Sequence, residues 1–97
     1  MKRWDDVKKS ISSVPEIEKE VLEFTAYLVA KLVQRRHELG LTQEEVAQKT
    51  GLKQSAIARI ENARIVPKVD TIQIIAKALG LSLDLVSNEE AAALSFA

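Results

Sequence analysis

The sequence predicts an all-α chain: a small domain of five short helices with an amino-terminal helical extension. Three observations lead to it. Apolar residues recur at three- and four-residue steps along most of the 97 positions. Three of those stretches open with Ser, Thr or Asp followed three residues later by Glu or Gln. The glycines Gly40, Gly51 and Gly80 each stand where a stretch ends.

Taken in order, Trp4, Val7 and Ile11 fall at i, i+3 and i+7 and predict a short amphipathic helix within Lys2 to Ser12. Ser13-Val14-Pro15-Glu16 then reads as a capping box with proline in the first turn. From there Ile17, Val21, Phe24, Leu28 and Leu32 carry a helix to Leu39. Such a helix is long beside the usual ~11–12 residues, so a break between Phe24 and Ala26 is an open alternative. Thr42 and Glu45 form a second box for a helix ending before Gly51, and Gln54 to Glu61 follows with Ile57 and Ile60 inward. Val66-Pro67 interrupts, and Asp70 with Gln73 is expected to box a helix carrying Ile72, Ile75, Ala76 and Leu79. Leu81 to Leu85 alternates apolar and polar residues, which fits either a short half-buried strand or a final helix capped by Ser82. The expected division is an extension over 1–25, a domain over 26–87 and a tail without a clear partner over 88–97.

Composition narrows the chemistry. No cysteine and one histidine, His37, exclude disulfides, thiol catalysis, cysteine-held zinc and a multi-histidine metal site. No acid, base or nucleophile cluster marks an active site, so neither an enzyme, a metal nor a cofactor is expected. No apolar run approaches the ~20 residues of a membrane span, and a cytoplasmic protein is expected. The 14 basic and 14 acidic residues cancel, but unevenly. Positions 31–68 hold eight basic against four acidic residues, while the segments before and after have acidic surpluses of one and three. A basic centre between acidic flanks suits a face that meets phosphate.

The window Gln43 to Asn62 is the most informative. Val46, Ala47, Gly51, Leu52, Ile57 and Ile60 have the spacing of two short helices crossing at a tight turn, with Ala47 small at the crossing and Gly51 free to take a positive φ. Together with Arg36, Leu39-Gly40-Leu41-Thr42-Gln43, Arg59-Ile60-Glu61-Asn62, Pro67 and Ile75-Ala76-Lys77-Ala78-Leu79-Gly80, these residues resemble the helix-turn-helix family of phage repressors and Xre-type regulators. The resemblance covers roughly Ala30 to Leu85. It implies a phage-repressor-like five-helix domain that binds double-stranded operator DNA as a homodimer, with Gln54 to Glu61 in the major groove. On it, Gln54, Ser55 and Arg59 are the base-reading residues, because Gln pairs bidentately with adenine and Arg with guanine. Gln43 and Asn62 match backbone-holding positions, and Arg36 with Glu61 matches a buried structural ion pair. Lys53 departs from the family's Ser or Thr cap; it is read as a cation beside the DNA backbone, with drift as the alternative. Thr50 stands where an apolar residue is commoner.

The extension resembles that of HigA-like antitoxins of type II toxin-antitoxin systems. It implies a chain that represses its own operon and neutralises an mRNA-cleaving toxin of the RelE/HigB superfamily, with Trp4, Val7 and Ile11 as the toxin contact. The alternatives are an arm folded back on its own domain and a stand-alone dimeric Xre-type regulator. A small enzyme or metal-binding module is a third reading, opposed by the absent cysteine and the single histidine.

Overall fold

The computed structural model describes residues 14–95. The contact expected at Trp4, Val7 and Ile11, and the Ser13 cap, lie outside the described residues. Within them are five helices and no strand: α1 (Val14–Glu38), α2 (Gln43–Thr50), α3 (Gln54–Glu61), α4 (Val69–Ala78) and α5 (Asn88–Ser95).

α1 is unbroken through Phe24 to Ala26. The apolar spacing that carries it does not bury it evenly. Leu32 is in the core and Leu28 and Val29 pack against it, whereas Val14, Val21, Leu22 and Phe24 are each more than half exposed. The core is closed by Leu32, by Val46 and Ala47 of α2, by Ile57 and Ile60 of α3, and by Ile72, Ile75, Ala76 and Leu79 in and after α4. Arg35 fastens α1 to the far end of α4, its Nε donating to the Leu79 carbonyl at 3.0 Å.

Local chemistry explains most boundaries. Thr42 Oγ1 accepts from the Glu45 amide at 3.1 Å and the Glu45 carboxylate accepts from the Thr42 amide at 3.1 Å, the reciprocal cap its spacing predicts. At the other end of α2, Gly51 turns the chain at φ 77°, a value costly for any residue with a Cβ. Thr50 suits its place because its hydroxyl donates to the Val46 carbonyl at 2.8 Å and accepts from the Leu52 amide at 3.2 Å, so the turn's polar groups are paired. α3 ends in a Schellman arrangement in which the Ala63 amide reaches the Ile60 carbonyl and the Arg64 amide the Arg59 carbonyl. Here the left-handed position falls on an alanine, Ala63, at φ 57°.

Three expectations are corrected. The Asp70–Gln73 box does not form. Lys68, with extended dihedrals, takes the cap position, the helix starts at Val69, and Asp70 sits inside the first turn with its carboxylate accepting from the Thr71 amide at 2.8 Å. Leu81 to Leu85 is neither strand nor helix: with no strand among the described residues to pair with, its backbone has no ladder to join, and only Leu81 packs against the core. Beyond it, the stretch expected to be a tail without a clear partner is helical over residues 88–95, forming α5, opened by Ser87, whose hydroxyl accepts from the Glu90 amide at 3.1 Å.

Candidate nucleic-acid interface

α2, the turn at Gly51 and α3 form the bent pair that the spacing predicts. Ile57 and Ile60 are buried at 2% and 3% exposure, which fixes the rotation of α3 about its axis. Gln54, Ser55 and Arg59, on the opposite side of that helix, are all exposed. Since the inner face is locked by packing, the polar residues of α3 are held out in solvent.

At the start of α3, Lys53 has extended dihedrals and makes no side-chain cap. The Ala56 amide bonds the Lys53 carbonyl, which leaves the Gln54 and Ser55 amides without a side-chain cap beside an exposed ammonium, a combination that attracts anions. Asn62, at the opposite end, is exposed, with its amide donating to the Ala58 carbonyl at 2.9 Å. Lys49, Arg64 and Lys68 are also exposed cations of this central stretch.

Behind α3, one carboxylate joins three helices. Arg36 of α1 donates to Glu61 through Nε and Nη2, both at 2.7 Å, a planar two-bond match of guanidinium and carboxylate. A third Arg36 donor, Nη1, holds the Leu41 carbonyl at 2.9 Å, and His37 Nε2 lies 3.1 Å from Nη2. Gln43 of α2 donates to the same Glu61 at 3.0 Å and accepts from Gln54 Nε2 at 2.8 Å. The Arg36 and Glu61 side chains retain 12% and 13% exposure, so the pair is shielded at the domain edge rather than fully buried. Burial pushes the Glu61 carboxyl up, but hydrogen bonds from Arg36 and Gln43, with the Arg36 and His37 charges, outweigh it and leave its pKa below the ordinary glutamate value. The bond to Glu61 raises Arg36, against a smaller opposing effect of burial.

The structure thus brings Gln43, Gln54, Glu61 and Arg36 into one hydrogen-bonded line, and places Ser55, Arg59, Lys53 and Asn62 around it in solvent. The Gln43–Gln54 link was missed by the sequence reading, which treated the two side chains separately. Its signal is present: two glutamines each open one helix of a closely crossed pair, eleven positions apart. Each amide keeps a second hydrogen beyond the bond it makes here, so both can still reach outward. Among the described residues no His, Cys, Asp or Glu group could hold a metal ion, and no helix is long and apolar enough to cross a membrane.

Comparison with known proteins gives this geometry its context. The helix-turn-helix family model HTH_3 matches residues 32–86. An HTH-type transcriptional regulator of Haemophilus influenzae is 30% identical over 86% of this chain and 83% of its own length. The regulator PuuR of Escherichia coli is 40% identical over 55% of this chain, and the immunity repressor of Bacillus phage phi105 is 38% identical over 57%. The chain spans just 29% and 38% of those two proteins. Among solved structures, a chain of a toxin-antitoxin module from Streptococcus pneumoniae superposes with a TM-score of 0.59 at 28% identity, covering 90% of this chain and 94% of that one.

Proposed function

Since the chain belongs to the helix-turn-helix family of transcriptional regulators, we propose that it is a sequence-specific repressor and the antitoxin of a type II toxin-antitoxin pair. The observation that carries the DNA reading is α3 itself, anchored by Ile57 and Ile60 and offering Gln54, Ser55 and Arg59 to solvent. In this reading α3 enters the major groove. Gln54, steadied by Gln43, presents its carbonyl and remaining amide hydrogen to adenine, and Arg59 forks onto guanine. Ser55 reads beside them. Gln43, Lys53 and Asn62 hold the backbone, with Lys53 adding charge at the open amides of α3. A homodimer places two copies of α3 about 34 Å apart on a two-fold operator.

The antitoxin part rests on the likeness to the Streptococcus pneumoniae module, which extends beyond the family-matched residues 32–86. Residues 26–87 act on the chain's own operator in the cytoplasm. The extension 1–25, with Trp4, Val7 and Ile11, meets an mRNA-cleaving toxin of the RelE/HigB superfamily. No catalytic activity and no cofactor are assigned. The curated relatives favour a second reading, a stand-alone dimeric regulator, because they are named as regulators and repressors without mention of a toxin.

The DNA reading is tested by mobility-shift titration against the region upstream of the gene at several salt concentrations. Specific binding that weakens steeply with salt is expected; equal affinity for unrelated duplexes would sink it. Co-expression with the adjoining reading frame separates the other two: rescue from growth arrest supports the antitoxin, and arrest without rescue leaves the stand-alone regulator.

A further inference from the structure

We propose that Glu61 is a positioning residue for base reading: by accepting from Gln43 it fixes the direction of the Gln43–Gln54 hydrogen bond, and so decides on which strand Gln54 reads adenine. This role rests on the DNA reading of α3 and adds to it a residue that touches no base. A glutamine amide can turn over about its last torsion, exchanging oxygen and nitrogen with little change of shape. Between themselves, Gln43 and Gln54 could therefore bond in either sense. Glu61 removes the choice at one end, because an ionised carboxylate only accepts.

The constraint passes outward one bond at a time. Arg36 Nε holds Glu61 Oε2 and Arg36 Nη2 holds Oε1, both at 2.7 Å, which keeps the carboxylate from rotating. Oε1 also accepts from Gln43 Nε2 at 3.0 Å, so the amide nitrogen of Gln43 faces Glu61 and its oxygen faces α3. That oxygen accepts from Gln54 Nε2 at 2.8 Å. Gln54 is left with its nitrogen beside Gln43 and its oxygen on the far side, at the exposed start of α3. Glu61 keeps only 13% exposure and Gln43 is half-buried, so water competes less for the inner bonds than for the outer one. Adenine offers N7 as acceptor and N6 as donor on its major-groove edge. In the fixed sense, the free hydrogen on Gln54 Nε2 meets N7 and Oε1 meets N6. Exchanging A·T for T·A moves adenine to the other strand and reverses the order of these two groups. Gln54 can follow only by turning over and giving up Gln43.

The test is a mobility-shift series at neutral pH on the operator and on the same duplex with its A·T pairs inverted to T·A one at a time. Wild type should lose roughly tenfold or more in affinity at one inverted pair per half-site. Gln43→Met, which spares the ion pair, should shrink that factor several-fold. Glu61→Gln should shrink it alike, since a neutral amide donates to Gln43 as readily as it accepts, while the preference at the base pair met by Arg59 stays. The paired exchange Gln43→Glu with Glu61→Gln should restore it, because the carboxylate then beside Gln54 only accepts; a loss of stability alone would not be repaired in this way. Circular dichroism checks that each variant is folded. Without DNA, the side-chain amide protons of Gln43 and Gln54 should exchange with water several-fold more slowly than those of the exposed Gln48 and Gln73. An inversion penalty that survives Glu61→Gln overturns the proposal, as does a paired exchange that fails to restore it or equal exchange at all four glutamines. A wild type that discriminates bases yet tolerates every inversion overturns it too. A wild type with no base preference anywhere fails the DNA reading itself, and this role with it.

Discussion

At Glu61 a single carboxylate receives Arg36 from α1 and Gln43 from α2 while closing α3, and Gln43 passes the constraint to Gln54. Replacing Glu61 with Gln keeps the shape but leaves Arg36 without its counter-charge. The pair lies between exposed pairs worth ~0–1 kcal/mol and buried ones whose rupture costs ~3–5, so a loss of about 2 kcal/mol at neutral pH is expected. Because folding lowers the Glu61 pKa, this stability is fully present above the unfolded carboxyl value of about 4.3 and is lost as pH falls through the lower folded value. Urea melts of wild type and Glu61→Gln should therefore differ by a constant amount near neutrality and converge in acid; a gap that stays undiminished as pH falls through and below the ordinary carboxyl range would contradict the ionic origin. Ala63 makes the opposite prediction. Its φ of 57° is strained for a side-chain-bearing residue, so Ala63→Gly should raise stability by roughly 0.5–1 kcal/mol in the same melts. The Arg36–Glu61 partnership was legible through family likeness. The Gln43–Gln54 bond and the alanine at a left-handed position were not, because both depend on how two helices cross and end rather than on residue type.

For the helices themselves, sequence was most reliable where an end is made by local chemistry. Thr42 with Glu45, and Gly51 after Thr50, are short-range devices that fix their own geometry, and both appear as read. Asp70 misled because α4 begins one residue before it, with Lys68 at the cap, so the expected cap falls inside the first turn. Leu81 to Leu85 misled because its period-two alternation suggests a half-buried strand, whereas only Leu81 packs against the core, Leu83 and Leu85 are exposed, and no strand among the described residues offers a partner. α3 is the element that lacks an expected device, since Lys53 cannot accept its amides. Lys53→Ser should restore that cap and stabilise the fold by about 0.5–1 kcal/mol in thermal melts. The same substitution should weaken operator binding and reduce the slope of log affinity against log salt by ~0.9, the share of one phosphate contact. A stabilised variant with an unchanged slope would mean Lys53 touches no phosphate.

Over the whole molecule, zero net charge conceals a division of labour. The surplus of basic residues lies within 31–68, which includes α2 and α3, and an acidic surplus lies on the first half of α1. That division could be counted along the chain before any coordinates. What counting could not show is that α1 outruns its own domain, for the helical period is the same over its buried and its exposed half. The central claim of the proposed function is that α3 reads base edges. The most direct measurement is a mobility-shift comparison of wild type and Arg59→Ala on an operator and on each of its single-base variants. The account predicts that the variant loses discrimination at one base pair in each half-site, worth about 1–3 kcal/mol, and keeps it elsewhere. An equal weakening on every duplex would place Arg59 on the backbone and contradict the account.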